Sequence, residues 1–260
     1  MLPLTTSLPP STPLFAAAVE RLRVASAHFV GKNETAELER GVAKRLVKLA
    51  CGTLALPFPR AKDGEGVEVD REDEGFHWPT KPVGPVLDAG TVMSADWDIA
   101  ETVHGPRRVV ASPLPLRILE LDVIRHLVDL RAVVFCGGGG GIPTSRIGEH
   151  QQGMPAVIDK DHFSSLLASD LKADALIIST EADAIYRSFG TPEANALRTL
   201  DVKGAEAMEE AGEFPKGSMG PKVKALCDYV AKSNDGKAVL CSPGHVLEAL
   251  RGEQGTTITA

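Results

Sequence analysis

The sequence has no two cysteines at Cys-x-x-Cys spacing, no block of lysine and arginine, no apolar run long enough for a bilayer, and an aromatic content of only 5% in 260 residues. Each absence narrows the function. Cys51, Cys136, Cys227 and Cys241 are scattered and sit mostly in apolar runs, so they read as small buried thiols in a reducing compartment, not as a metal or disulfide framework. With a formal net charge of -7 and no clustered basic residues, neither nucleic acid nor a membrane is expected as a partner. The start of the chain lacks the basic region and apolar block of a secretory signal, and a cytoplasmic location is expected. Two nucleotide signatures are also missing: no Gly-Lys-Ser/Thr closes a Walker loop, and no GxGxxG opens a helix.

What is present is an ordinary globular composition, 43% hydrophobic and 24% charged, enough for one large or two modest domains. Residues 1–14, MLPLTTSLPPSTPL, are rich in Pro, Ser and Thr and read as a disordered lead-in. Apolar residues at helical spacing (Val19, Leu22; Leu38, Val42, Leu46, Leu49) predict two amphipathic helices within 15–66, with Asn33 capping the second. Residues 57–90 look loop-like. Beyond them the pattern alternates: a helix over 116–130, a strand over 132–136, a helix over 162–171, a strand over 175–179, a helix over 222–232, a strand over 238–241, and a helix ending near Leu250. Strands alternating with helices predict an α/β fold, a parallel sheet with helices on both faces.

In such sheets ligands bind beyond the carboxyl ends of the strands. The run AVVFCGGGGGIP (132–143) puts five glycines there, Gly137, Gly138, Gly139, Gly140 and Gly141. Bare backbone lets amides approach an anion closely; a flexible linker or tight turn is the plainer alternative. Two lysines stand at helix starts. Asp161 is a natural cap for the helix that follows it, which puts Lys160 at the start of that helix. Pro221 suits a first helical position, which puts Lys222 in the first turn. Cations there oppose the macrodipole, by a few tenths up to about 1 kcal/mol. Either lysine alone is read as solvated. Together with the glycines they fit a polyphosphate held by amides and ammonium groups, as phosphoryl transfer requires.

GGGGGIP, PAVIDKD, STEADAIYRSFGTP and FPKGSMGPKV, in that order, resemble the carbamate kinases of the amino acid kinase superfamily. VEVDREDEGFHWPTKPVGP and RRVVASPLPLRILELDVIRHLV extend the resemblance, which runs from about Val67 to the C-terminus. It implies reversible phosphoryl transfer between ATP and carbamate, giving ADP and carbamoyl phosphate, with Mg²⁺, usually in arginine breakdown. It also implies a homodimer with a three-layer αβα fold around a mainly parallel central sheet. Carried over by position, Lys160 and Lys222 flank the transferring phosphoryl group, Asp161 orients them, and Lys81 lies on the carbamate side in a protruding subdomain of residues 67–108. Gly137 to Gly141 line the substrate pocket. Asp183, Tyr186, Gly217, Met219 and Gly220 build the nucleotide pocket, in a kinase core of residues 109–260. For Asp183 and Tyr186, a strand-end turn and a packed aromatic are the plainer readings, and for Lys81 a solvated loop lysine.

The family's opening strand with its Gly-Gly-Asn loop, and its His-Gly-Asn-Gly-Pro-Gln loop, are not found in residues 1–66, so the first strands are expected to be missing or replaced. Glu181 and Ala184 stand where the family usually has Asp and Gly. Three readings follow: a carbamate kinase, working or weakened; a kinase-like module that binds nucleotide or a partner without transfer; or another kinase of the superfamily, against which the PTKPVGP segment argues.

Overall fold

The computed structural model describes residues 65–102, 104–130, 132–148, 150–214, 219–233 and 235–260. Strand β1 (Gly66–Val69) is followed by helix α1 (Glu74–His77), strand β2 (Lys81–Val83), helix α2 (Ala89–Ser94) and strands β3 (Ile99–Thr102) and β4 (Gly105–Val110). Strand β5 (Pro115–Ile118) leads to helix α3 (Leu121–Asp129). Strands β6 (Ile142–Ile147) and β7 (His150–Gly153) form a hairpin before helix α4 (Lys160–Leu171) and strand β8 (Ala175–Ser179). Then come β9 (Ile185–Arg187), β10 (Asn195–Leu197), β11 (Thr199–Asp201), α5 (Val202–Glu210), α6 (Met219–Lys232), β12 (Lys237–Cys241), α7 (Val246–Leu250) and β13 (Thr256–Thr259).

The α/β architecture read from the alternation is present, in mixed sheets. One has the order β5-β1-β6-β7 and another β11-β13-β12-β8, with a β2-β4-β3 sheet and a β9-β10 hairpin beside them. Helical crossovers give the parallel pairs, such as β8 with β12. Connections of a few residues, as between β6 and β7 or β3 and β4, force antiparallel pairing.

Aspartates start four of the helices. Asp73, Asp88, Asp159 and Asp201 each accept a hydrogen bond from a backbone N–H in the first turn of α1, α2, α4 and α5, satisfying one of the donors a helix start leaves open. Apolar faces then set the packing. Along α6, Val223, Leu226 and Val230 are buried at helical spacing and join Leu176, Ile178, Leu240 and Ile258 in one core. A second core holds Val67, Val69, Ile118, Ile124, Ile158, Phe163 and Leu166. Helix α4 serves both, with Phe163 and Leu166 in one and Ala168 in the other.

Several boundaries differ from the sequence reading. The helix expected over 116–130 begins with strand β5, because Pro115 to Ile118 pair with β1 before the turn at 119–120. The stretch 57–90 contains β1, α1, β2 and the start of α2 in its described part, short elements whose few residues hide their period. The expected strand over 132–136 forms no ladder among the described residues. Its alternation survives, with Val134 and Cys136 packed on the second core and Val133 and Phe135 exposed. A ladder needs a neighbour, and β1 and β6 pair with each other instead. The lead-in and the two helices within 15–66 lie outside the described residues.

Candidate functional site

The start of α4 organises the region. Asp159, not Asp161, is the cap: its Oδ1 accepts from the Asp161 N–H at 2.8 Å, which places Lys160 and Asp161 as the first two helical residues. The other oxygen, Oδ2, accepts from Lys81 Nζ at 2.5 Å. Lys81 opens β2, held between Pro79 and Pro82 and paired with Val110 of β4. The next residue along, Ala111, bridges Ala156, and its carbonyl accepts from Val157 N–H at 2.9 Å. The small sheet is thereby fastened to the segment that enters α4, and Lys81 reaches the helix start from that sheet.

Asp161 lies one position into the helix and is 6% exposed. Its Oδ2 receives Lys222 Nζ at 2.8 Å and lies 3.6 Å from Lys160 Nζ. Lys222 sits in the first turn of α6, which begins at Met219, two residues earlier than Pro221 suggested. One carboxylate oxygen therefore gathers ammonium groups from two helix starts. Their exposure differs: 14% for the Lys222 side chain and 58% for Lys160. Two carboxylates facing three ammonium groups leave one positive charge in excess, at the meeting point of two positive helix ends. For Asp159, burial opposes ionisation, but the hydrogen bond from Lys81, the Asp161 amide and the charges of Lys81 and Lys160 outweigh it and hold its carboxyl below the ordinary carboxylate range.

The glycine run closes onto the same helix start. Gly140 and Gly141 both donate to the Gly137 carbonyl, at 2.7 and 2.8 Å, making a tight turn. At Gly140 the backbone has φ +127°, and an added Cβ would lie 2.1 Å from the carbonyl oxygen of Ile158 and 3.4 Å from the Lys160 nitrogen. Glycine is required there by both conformation and space. Gly137 lies against the Phe163 ring and Gly141 against Val67. Gly138 and Gly139 face open space with nothing within 4 Å, so a stretch of bare backbone is presented beside Lys160. The Gly137 N–H donates to Glu65 Oε2 at 2.6 Å.

The remaining sequence-selected residues fall into two places. Met219 and Gly220 open α6, half-buried and buried, directly before Lys222. Asp183 and Tyr186 form their own pair at the β8–β9 turn: the Tyr186 hydroxyl donates to Asp183 Oδ1 at 3.0 Å, and its ring packs edge-on to Phe189 at 5.7 Å. Neither joins the lysine–aspartate cluster through a hydrogen bond or ion pair among the described residues. Ala184 is fully buried and does not have positive φ, so alanine at that turn is unstrained. Gly217 lies outside the described residues. A cavity of about 400 Å³ lined by Arg187, Leu197, Thr199, Leu200, Asp201, Gly204 and Thr259 shares no residue with the cluster. Asp159 was missed by sequence reasoning, because Asp161, two residues on and nearer the apolar-periodic run, competes for the cap position.

Residues 82–242 match the Amino acid kinase family. The carbamate kinase of Halobacterium salinarum is 40% identical over 195 residues, 73% of this chain and 63% of that protein. The carbamate kinase of Haemophilus influenzae is 42% identical over 226 residues, 84% of this chain and 71% of that one. The solved structure of Giardia lamblia carbamate kinase bound to AMP-PNP has a TM-score of 0.67 at 28% identity, covering 93% of this chain and 80% of that one. The chain thus spans 63% to 71% of the length of these two curated relatives.

Proposed function

The chain belongs to the amino acid kinase family, and from that premise we propose that it transfers a phosphoryl group reversibly between ATP and carbamate, yielding ADP and carbamoyl phosphate. The observation that carries this reading is the shared oxygen: Lys222 and Lys160 approach one Asp161 carboxylate beside an open glycine backbone. In the ATP-forming direction, a β-phosphate oxygen of ADP attacks the phosphorus of carbamoyl phosphate, and the bond from phosphorus to the carbamate oxygen breaks. Carbamate leaves with that electron pair. Charge accumulates on three equatorial oxygens of the moving group, and Lys160 and Lys222 are placed to neutralise it. A preorganised donor of this kind contributes on the order of 10²–10³ in kcat. Asp161 keeps both ammonium groups aimed before substrate arrives.

In this reading Lys81 faces the carbamate side, from a substrate-side subdomain of residues 67–108, and the backbone of Gly137 to Gly141 lines that pocket. Asp183, Tyr186, Gly217, Met219 and Gly220 hold the nucleotide in the 109–260 core. The nucleotide is taken as its Mg²⁺ complex. The ion would be carried by the nucleotide's own phosphates, a common habit of Mg²⁺, and would add positive charge beside Lys160 and Lys222. A second copy of the chain is part of the proposal: Leu114, Leu116, Val133 and Phe135 are exposed apolar side chains of the kind a dimer buries. No described helix is long and apolar enough to cross a membrane. The free thiols Cys136, Cys227 and Cys241 suit the cytoplasm, and ATP synthesis during arginine breakdown is the proposed setting.

The test is ATP formation from ADP and carbamoyl phosphate with Mg²⁺, coupled to hexokinase and glucose-6-phosphate dehydrogenase. Turnover that requires both substrates is the expected result. Measurable ADP binding without any ATP would select the non-transferring module instead.

A further inference from the structure

We infer that Asp159 is a positioning residue that fixes the Lys81 ammonium group at a set place relative to Lys160 and Lys222; the inference rests on the phosphotransfer reading above. Its two oxygens point to different partners. Oδ1 holds the Asp161 amide, inside the helix that carries Lys160 and Asp161, and Oδ2 holds Lys81, which comes from a separate sheet. Asp159 is 7% exposed, so neither contact is easily replaced by water. Lys81 itself is about one-third exposed, on a three-residue strand. A four-carbon lysine stem on so short a strand has many rotamers open to it. The carboxylate selects one of them.

The consequence is a single chain of contacts from Lys81 through Asp159, the Asp161 amide and the Asp161 carboxylate to Lys222. The cation on the carbamate side and the cations around the phosphoryl group are thereby tied to one helix turn. A carbamoyl phosphate molecule has its carbonyl end and its phosphate end at a fixed separation, so recognition of both ends at once depends on that tie. Helix capping alone would explain Oδ1 but not Oδ2.

Asp159→Asn separates the two roles. Asparagine caps a helix as well as aspartate does, so the fold is kept, while the amide nitrogen it can turn toward Lys81 is a donor facing a donor. The expected result is a KM for carbamoyl phosphate raised about 10- to 100-fold, the range that misplacement by an ångström produces, with the KM for ADP unchanged within error. In a Lys81→Met background the same substitution should add nothing, because Asp159 acts through Lys81. A wild-type KM for carbamoyl phosphate in Asp159→Asn overturns the inference, and so does an effect that persists in full without Lys81. Should the wild-type chain make no ATP, the phosphotransfer reading fails on its own. Urea unfolding of the same four proteins then decides the inference: non-additive shifts in midpoint support it, and additive shifts overturn it.

Discussion

Gly140→Ala is the substitution whose effect follows most directly from geometry. At φ +127° an L side chain is held in a sparsely populated region, at about 1–3 kcal/mol. The new methyl also lies 2.1 Å from the Ile158 carbonyl oxygen and 2.9 Å from its carbon. These are backbone atoms, so no rotamer change relieves the contact. The peptide entering α4 must move by more than an ångström, and Ile158 is part of the second core, so an overpacking penalty of about 1–3 kcal/mol is added. The total is roughly 2–6 kcal/mol against a typical domain stability of about 5–15 kcal/mol. Gly139→Ala is the matched control. It lacks positive φ and has nothing within 4 Å, so the expected change is neutral or a gain of up to about 1 kcal/mol through the unfolded chain. Urea unfolding followed by far-ultraviolet circular dichroism reads both. Equal midpoints for Gly140→Ala and wild type, or equal damage from the two substitutions, would refute the placement of the glycine turn on Ile158.

Two further outcomes concern titrating groups. Burial pushes the His162 pKa below 6.5; Asp159 and Asp228 pull it back only partly, and Lys224 pushes the same way as burial. A depressed value means that the unfolded chain takes up the proton first, so the stability His162 contributes is complete above pH 6.5 and is lost as pH falls from there through the lower folded value. Urea midpoints at pH 7.5 and 5.5 should therefore fall further for wild type than for His162→Gln; equal drops would contradict the assignment. Burial also raises Cys136, Cys227 and Cys241 to about 11, leaving a thiolate fraction on the order of 10⁻³ at pH 8. Iodoacetamide labelling of native protein at that pH, read by peptide mass spectrometry, should be slow at all three sites, and labelling of Cys136 at the rate of a free cysteine would show that its surroundings are misassigned.

Much of this was legible in the sequence because the signals are local. Strand β8 has the limits that its apolar run predicted, and β12 starts one residue earlier. The two lysines at helix starts come together because α4 and α6 pack against each other, and on α6 the helical spacing of Val223, Leu226 and Val230 can be read from residue types. The cap was legible too, but two aspartates two residues apart compete for it, and only the backbone at Asp159, φ −70° and ψ 129°, decides between them. Contacts between distant segments were not legible. Nothing near Lys81 in the chain announces a carboxylate 78 positions away. Likewise the extended run 132–136 has strand composition but forms no ladder among the described residues, since hydrogen bonding is a property of the neighbour and not of the segment.

The central claim is that ammonium groups from two helix starts act together on one phosphoryl group, and kcat for ATP formation by Lys222→Met at saturating ADP and carbamoyl phosphate tests it most directly. With the substituted protein shown to be folded by its circular dichroism, a fall of at least about 10²-fold is expected. A kcat equal to that of the unsubstituted chain would contradict the account.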